Sequence, residues 1–212
     1  MSLRLEQIVT GSYKQNCFVA ANAAGEALIV DPGSDAGAIA ARIDDNGWRP
    51  LAVIATHAHF DHVGAVAPVM ERYGIPFYLH HGDKVMLRRM NLFKMVVEPG
   101  EALKVPEITH DLAEGPDEFN IGDFHIRVVP TPGHTPGGVC FVIDGHIFSG
   151  DTILAQGVGR TDLPGGDSSA LATSLDSLSR QDVDLVACPG HGAPMPLGML
   201  LDMAIKAGIY RT

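Results

Sequence analysis

The sequence predicts an α+β protein in which two sheets pack face to face with helices on their outer sides. Strand patterns followed by helix patterns recur in both halves of the chain, with no short-period repeat, and the apolar faces of such elements must be buried against another layer. With 212 residues, 46% of them hydrophobic, the chain can build one sizeable core, and a single domain over 1–212 is expected.

Strands are expected over 3–9 and 17–21, followed by a turn at 22–25 and a third strand over 27–31. The segment 35–46 carries helical spacing. Leu51-Ala52-Val53-Ile54-Ala55 is a short uninterrupted apolar run, the pattern of a buried strand, and 63–73 has the apolar spacing of a helix. A strand over 75–79 and a weak helical stretch over 82–90 follow. Over 94–115 the periodicity fades and Pro99 and Pro106 interrupt it, which predicts a long connection over one face. Strands over 124–129, 138–143 and 147–149, a helix over 168–179, a strand over 184–188 and a last helix over 197–207 complete the second half.

Composition excludes several classes of function. Fifteen Lys and Arg against 25 Asp and Glu give a net charge of -10, with no basic block to form a nucleic-acid footprint. No stretch has the apolar length of a membrane span and the first residues lack a signal-peptide core, so no membrane partner and a cytoplasmic location are expected. Cys17, Cys140 and Cys188 are odd in number and each lies in an apolar stretch, as buried thiols do. Cys188 precedes His191 by three residues, but its place in an inward-running strand favours a packed thiol over a metal ligand. Nothing in the sequence bears on oligomeric state.

Chemistry concentrates in Thr56-His57-Ala58-His59-Phe60-Asp61-His62, where three imidazoles and a carboxylate follow the apolar strand directly. Imidazole nitrogen and carboxylate oxygen suit borderline cations such as zinc, and thiolate is absent from the run, so the donor set points to a catalytic rather than a structural site. In the near-extended part His57 and His59 face one way, while Asp61 and His62 at the helix start face another, so one loop can serve two adjacent cations. A helix N-cap explains Asp61 alone and leaves the histidines unexplained. Four more turns place polar residues beside glycine at strand ends: Asp31 before Pro32-Gly33, His134 after Pro132-Gly133, Asp151 after Gly150, and His191 between Gly190 and Gly192. Each is weak alone, but together they supply ligands for two cations.

In these features the chain resembles the metallo-β-lactamase superfamily, and within it the compact hydroxyacylglutathione hydrolases. The resemblance is carried by His57-x-His59-x-Asp61-His62, Gln15-Asn16-Cys17, Thr131-Pro132-Gly133-His134-Thr135-Pro136-Gly137, Ser149-Gly150-Asp151, the Gly-Arg-Thr-Asp-Leu-Pro-Gly-Gly loop at 159–166, and Pro189-Gly190-His191-Gly192. It implies a four-layer αββα sandwich with the site at one edge between the sheets. His57, His59 and His134 would hold one cation, Asp61, His62 and His191 the second, and Asp151 would bridge them. Asp31 would orient the histidine loop from behind. Two divalent ions are implied, zinc foremost, with iron and manganese also compatible. Such a pair can share a hydroxide whose pKa falls toward about 7. Asp61 is the catalytic candidate to orient that nucleophile, and a small-molecule thioester of the S-D-lactoylglutathione type is the expected substrate.

The larger hydroxyacylglutathione hydrolases carry an additional C-terminal helical segment that helps hold glutathione, whereas this chain stops at Thr212. Arg160 and Asp162 either line the substrate pocket or pair with each other. His80 and His81 are expected as exposed polar residues and His125 as outward-facing, while His110 and His146 carry no assigned role. Two other activities resemble this chain through the same motifs: a persulfide dioxygenase using one iron on His57, His59, His134 and Asp151, and a lactone or ester hydrolase. The Pro-Gly-His-Gly setting of His191 favours the hydrolase. A bridging Asp151 argues against a β-lactamase, and the acidic charge argues against a nuclease.

Overall fold

In the computed structural model, which describes residues 3–207, the two expected sheets have six strands each. The first takes β1 (Arg4–Thr10), β2 (Gln15–Ala21), β3 (Glu26–Val30), β4 (Arg49–Ile54), β5 (Phe77–Leu79) and β6 (His110–Asp111) in chain order. β1 to β3 are antiparallel, and β3 to β6 run parallel. Parallel neighbours require crossovers. These contain α1 (Ala36–Asp45), the short α2 (Phe60–Val63) with α3 (Val66–Tyr73), and α4 (Lys84–Val97).

The second sheet begins with the antiparallel β7 (Glu118–Ile121), β8 (Phe124–Pro130), β9 (Val139–Ile143) and β10 (His146–Gly150). A small hairpin, β11 (Ile153–Leu154) with β12 (Gly157–Val158), precedes α5 (Ser168–Leu178). β13 (Val186–Pro189) then joins β10 in parallel and β14 (Met195–Pro196) closes the edge before α6 (Leu197–Lys206).

The strands read as continuous apolar runs because most are covered on both faces, and successive side chains point to opposite sides. Phe18, Leu28 and Ile54 of the first sheet meet Ile126, Phe141 and Phe148 of the second in the core between them. Their neighbours Val19, Ile29 and Val53 face outward onto Ile39 and Ile43 of α1 and Val66 of α3. Cys140, Ile147 and Ala187 likewise turn away from the second sheet onto Leu175 of α5 and Leu200 of α6. The order of layers is helix, sheet, sheet, helix, as expected. No helix among the described residues is long and apolar enough to cross a membrane. All three cysteines are free and buried, and Cys188 packs in the inter-sheet core.

The structure differs from the sequence reading in several places. The expected helix over 63–73 is two pieces, with Val63 ending α2 and α3 starting at Val66; Gly64 lies between them, where a Cβ would meet the carbonyl oxygen of Gly33 at 2.5 Å. The weak helix over 82–90 runs on to Val97 as α4, so the long connection begins only at Glu98 and itself contributes β6. Burial of Leu87, Met90 and Lys94 marks its inner face, but exposed Leu92, Met95 and Val96 blur the period. β7 and the two-residue strands β11, β12 and β14 were not expected; two residues carry no period, and Glu118-Phe119-Asn120-Ile121 alternates over only four. The end of the last expected helix, at 207, lies just past α6, and residues 1–2 and 208–212 fall outside the described residues.

β3 and β4 are parallel neighbours, and β8, β10 and β13 run in one direction within the second sheet. Their C-terminal ends therefore deliver Asp31, the histidine run, His134, Asp151 and His191 to a common edge. Asp83, at the start of α4 and fully buried, ties the two sheets' loops together there. Its Oδ2 accepts the Ala58 N–H at 2.9 Å and its Oδ1 accepts the Gly137 N–H at 2.6 Å. Burial pushes its carboxyl up, partly offset by those two donors. Asp83→Ala would orphan both N–H groups at about 1–3 kcal/mol each, and Asp83→Asn, with one acceptor oxygen, would restore part of the loss; urea unfolding midpoints of the two variants measure the difference.

Candidate metal centre

The histidine run leaves β4 in an extended conformation and enters α2 at His59, whose φ of -67° and ψ of 145° are those of a strand residue. Asp31 fixes the run from behind. It follows β3 in the left-handed region, φ 50°, and is 2% exposed. Its carboxylate accepts the Thr56 N–H at 2.7 Å, the Thr56 hydroxyl at 2.6 Å and His62 Nδ1 at 3.0 Å. Because the Thr56 hydroxyl donates to Asp31, its oxygen is left to accept from His57 Nδ1, 3.0 Å away. His57 and His62 therefore both present Nε2 to the interior. His134 donates Nδ1–H to the Arg160 carbonyl at 2.7 Å, and His191 donates Nδ1–H to the Tyr13 carbonyl at 3.1 Å, with the same result. A hydrogen bond on the outer nitrogen of each ring, which sets tautomer and direction, is the usual support of a metal-ligating histidine.

The inward atoms fall into two groups. Ligand atoms of His57, His59 and His134 lie within 4.8 Å of one another, and so do those of Asp61, His62 and His191. Asp151 stands between them, with Oδ1 3.4 Å from His62 Nε2 and Oδ2 3.6 Å from His134 Nε2 and 3.7 Å from His191 Nε2. His57 and His62 bring the groups together, their ring centroids 4.0 Å apart. Asp31 also lies within reach of His57 and His62, but its oxygens are already committed to Thr56 and the outer nitrogen of His62.

These residues fit divalent cations on three observations. His57 Nε2, His62 Nε2 and Asp151 Oδ1 are buried and lack any hydrogen-bond partner, a loss of about 1–3 kcal/mol per group unless something satisfies them. His134 Nε2 lies 2.8 Å from His59 Nδ1, an approach that two imidazole lone pairs tolerate only across a shared proton or cation. The donors are nitrogen and oxygen throughout, the set that zinc, iron and manganese share.

The electrostatics divide in the same way. Burial and the neighbouring imidazoles hold His57 well below its ordinary value and bring His59 to about 4, so these two rings are neutral and ready to donate lone pairs. Burial also opposes charge on His62 and His191, but the carboxylates around them outweigh it and raise both. Despite burial, His62 and the other imidazoles hold Asp151 well below the usual carboxylate range, and His191 and His62 lower Asp61 likewise.

Glycine is required where backbone closes on these side chains. A Cβ on Gly190 would stand 2.2 Å from Asp151 Oδ1, and one on Gly150, at φ 48°, 2.2 Å from Thr56 Oγ1. Of the residues singled out in the sequence, the seven clustered ones and Asp31 thus meet at one edge. Arg160 and Asp162 do not turn into the cluster: their side chains are exposed and pair with each other through two hydrogen bonds of 2.9 and 2.8 Å. It is the Arg160 backbone that reaches His134. His125 is exposed beside Glu118, His81 is exposed beside Asp111, and His80 is half-buried and caps the turn before α4.

Four residues that hold the centre were missed or given no role. Thr56 was read only as the start of the run, and Asp83 looked like any acidic residue at a helix start. Asn16 Nδ2 donates to the carbonyls of Pro189 at 2.9 Å and Gly192 at 2.7 Å, bracketing His191. Gln15 Nε2 donates to the Asp31 carbonyl at 3.0 Å. Their only signal was the Gln-Asn-Cys motif, because partners so distant in sequence leave no local pattern.

The sequence profile of the metallo-beta-lactamase superfamily matches residues 10–191. "Probable metallo-hydrolase YqgX" of Bacillus subtilis is 39% identical over 170 residues, covering 79% of this chain and 80% of its own. "Hydroxyacylglutathione hydrolase GloC" of Haemophilus influenzae is 29% identical over 208 residues, covering 92% and 94%. Among solved structures, the BLEG-1 B3 metallo-beta-lactamase matches with a TM-score of 0.87 at 34% identity, covering 94% of this chain and 97% of that one. TTHA1623, solved in a di-iron-bound form, matches with a TM-score of 0.82 at 35% identity, covering 92% and 96%. The extent of the profile match and the identity to the Bacillus relative agree in one assignment: the chain belongs to the metallo-β-lactamase superfamily.

Proposed function

We propose that the protein is a metal-dependent hydrolase of glutathione thioesters of the S-D-lactoylglutathione type. His57, His59 and His134 would hold one divalent ion, Asp61, His62 and His191 a second, and Asp151 would contact both. Zinc is the first choice, and the di-iron form of TTHA1623 supports iron as an alternative. When bound, such ions lower the pKa of water toward about 7 and polarise the carbonyl under attack.

The chain's own groups do the rest. Asp61, 17% exposed at its side chain and 3.5 Å from His191 Nε2, is the carboxylate placed to accept a proton from the attacking water and so orient it. Asp31, Thr56 and the carbonyls of Tyr13 and Arg160 keep the imidazoles in the tautomer that faces inward. A thiolate leaves readily, so no further acid is needed at the sulfur.

The observation that carries two ions rather than one is the buried, unpartnered His62 Nε2 in the Asp61 and His191 group. A mononuclear iron dioxygenase on His57, His59, His134 and Asp151 would leave that group without a purpose. The resemblance to GloC supports the thioester. The likeness to BLEG-1 makes β-lactam opening the second reading, since it too is water attack on an acyl carbon.

The test is the initial rate of S-D-lactoylglutathione hydrolysis by metal-replete and chelator-treated protein, run beside a chromogenic cephalosporin and an oxygen electrode with glutathione persulfide. A chelator-sensitive thioesterase rate with two metal ions per chain is expected; cephalosporin turnover alone, or one iron with oxygen uptake, would replace the proposal. His59→Ala and Asp61→Ala are each expected to lower kcat by at least about a hundredfold while leaving the circular dichroism spectrum unchanged; full activity in either would refute the assigned centre.

A further inference from the structure

α4 presents an apolar face that nothing among the described residues covers. Val85, Arg89, Leu92 and Val96 recur at helical spacing on one side, and Val85 is 60%, Leu92 66% and Val96 80% exposed. This face forms one wall of a cavity of about 480 Å³, within the range of small-molecule sites. The far wall includes Ala58, His59, Phe60 and Pro136, residues of the same two loops that supply the metal-centre imidazoles. The Phe93 ring stacks on the His59 ring at 6.2 Å and 20°. The cavity thus borders the centre at His59. His59 apart, Arg89 is its one lining side chain able to carry charge, and its guanidinium has no ion-pair partner among the described residues.

A lactoyl group is short and carries a hydroxyl, so it leaves most of such a surface wet. We propose that this cavity is the acyl subsite of the centre, and that the preferred substrates are thioesters of extended aliphatic acids carried on an anionic thiol. The proposal rests on the metal-dependent thioesterase reading above and replaces its short lactoyl group with a longer aliphatic acyl chain. The aliphatic chain covers Val85, Leu92 and Val96, and an anionic group of the carrier meets Arg89. Hydrolysis breaks the C–S bond and forms a C–O bond to the oxygen of water. One proton of that water ends on the thiol and the other in solvent as the carboxylate product leaves.

The experiment measures kcat/KM on zinc-loaded protein for acetyl-, butyryl-, hexanoyl- and octanoyl-glutathione, and separately titrates octanoate and acetate by calorimetry. A rise of about three- to fourfold per buried methylene is expected. Val96→Asp and Leu92→Asp, both at exposed positions where the fold tolerates charge, are expected to bring the octanoyl-to-acetyl ratio toward one and to weaken octanoate binding. Arg89→Ala is expected to raise KM up to about fivefold for octanoyl-glutathione, but not for the uncharged N-acetylcysteamine thioester. Thioesterase activity with a flat chain-length profile would overturn the acyl subsite while leaving the hydrolase reading intact. Octanoate binding lost in Val96→Asp, with no thioester turned over, would keep the apolar subsite and overturn the thioester chemistry. Neither turnover nor octanoate binding would overturn both.

Discussion

The centre depends on one buried carboxylate. Asp31 sits at the end of β3 with three donors on its two oxygens, all from the histidine run. A charge removed from water is tolerable only when it is paired and fully hydrogen-bonded, and here the partners are the groups that must be aimed. Through the Thr56 hydroxyl it governs His57, and directly it governs His62, one imidazole from each ligand group. The backbone of the run is fixed by the same residue, so the position of the strand end and the direction of the rings are set by a single interaction.

The remaining supports follow the same logic with backbone carbonyls in place of a carboxylate. His134 and His191 are each oriented by a main-chain oxygen from a loop remote in sequence. Rings held from behind lose little entropy when they take up an ion, because their tautomer and direction are already chosen. The cost is a cluster of inward polar atoms with nothing of the protein's own to bond. Despite burial, the nearby carboxylates raise the proton affinity of His62 and His191 in the second group, while burial lowers that of His57 and His59 in the first.

The clustering of His57, His59, Asp61 and His62 was legible in the sequence because four such side chains within one loop leave a dense local signal. The layers were legible because strands covered on both faces read as unbroken apolar runs. What escaped was non-local. Asp83 joins two loops through Ala58 and Gly137, residues far apart in the chain, and a single acidic residue before a helix carries no mark of that. For Arg160 and Asp162 the sequence leaves pocket lining and mutual pairing open; their side chains pair with each other, and only the Arg160 backbone reaches the centre. α4 was cut short because its outer face is as apolar as its inner one, and an amphipathic period disappears when both sides are hydrophobic. That same departure from pattern opens beside the centre.

The bridge between Gln15 and His191, with Asn16 holding the loop on either side of that histidine, has a consequence for the order of assembly. His191 is among the last site residues to be synthesised, and its orientation is set by Tyr13 and Asn16, which are among the first. Contacts of such long sequence separation form late, because the chain between must already be compact. The second ligand group therefore cannot close until both sheets have folded and docked. A nascent or half-folded chain offers a cation scattered imidazoles but no finished cage, so the geometry itself makes tight capture of metal a report that folding is complete.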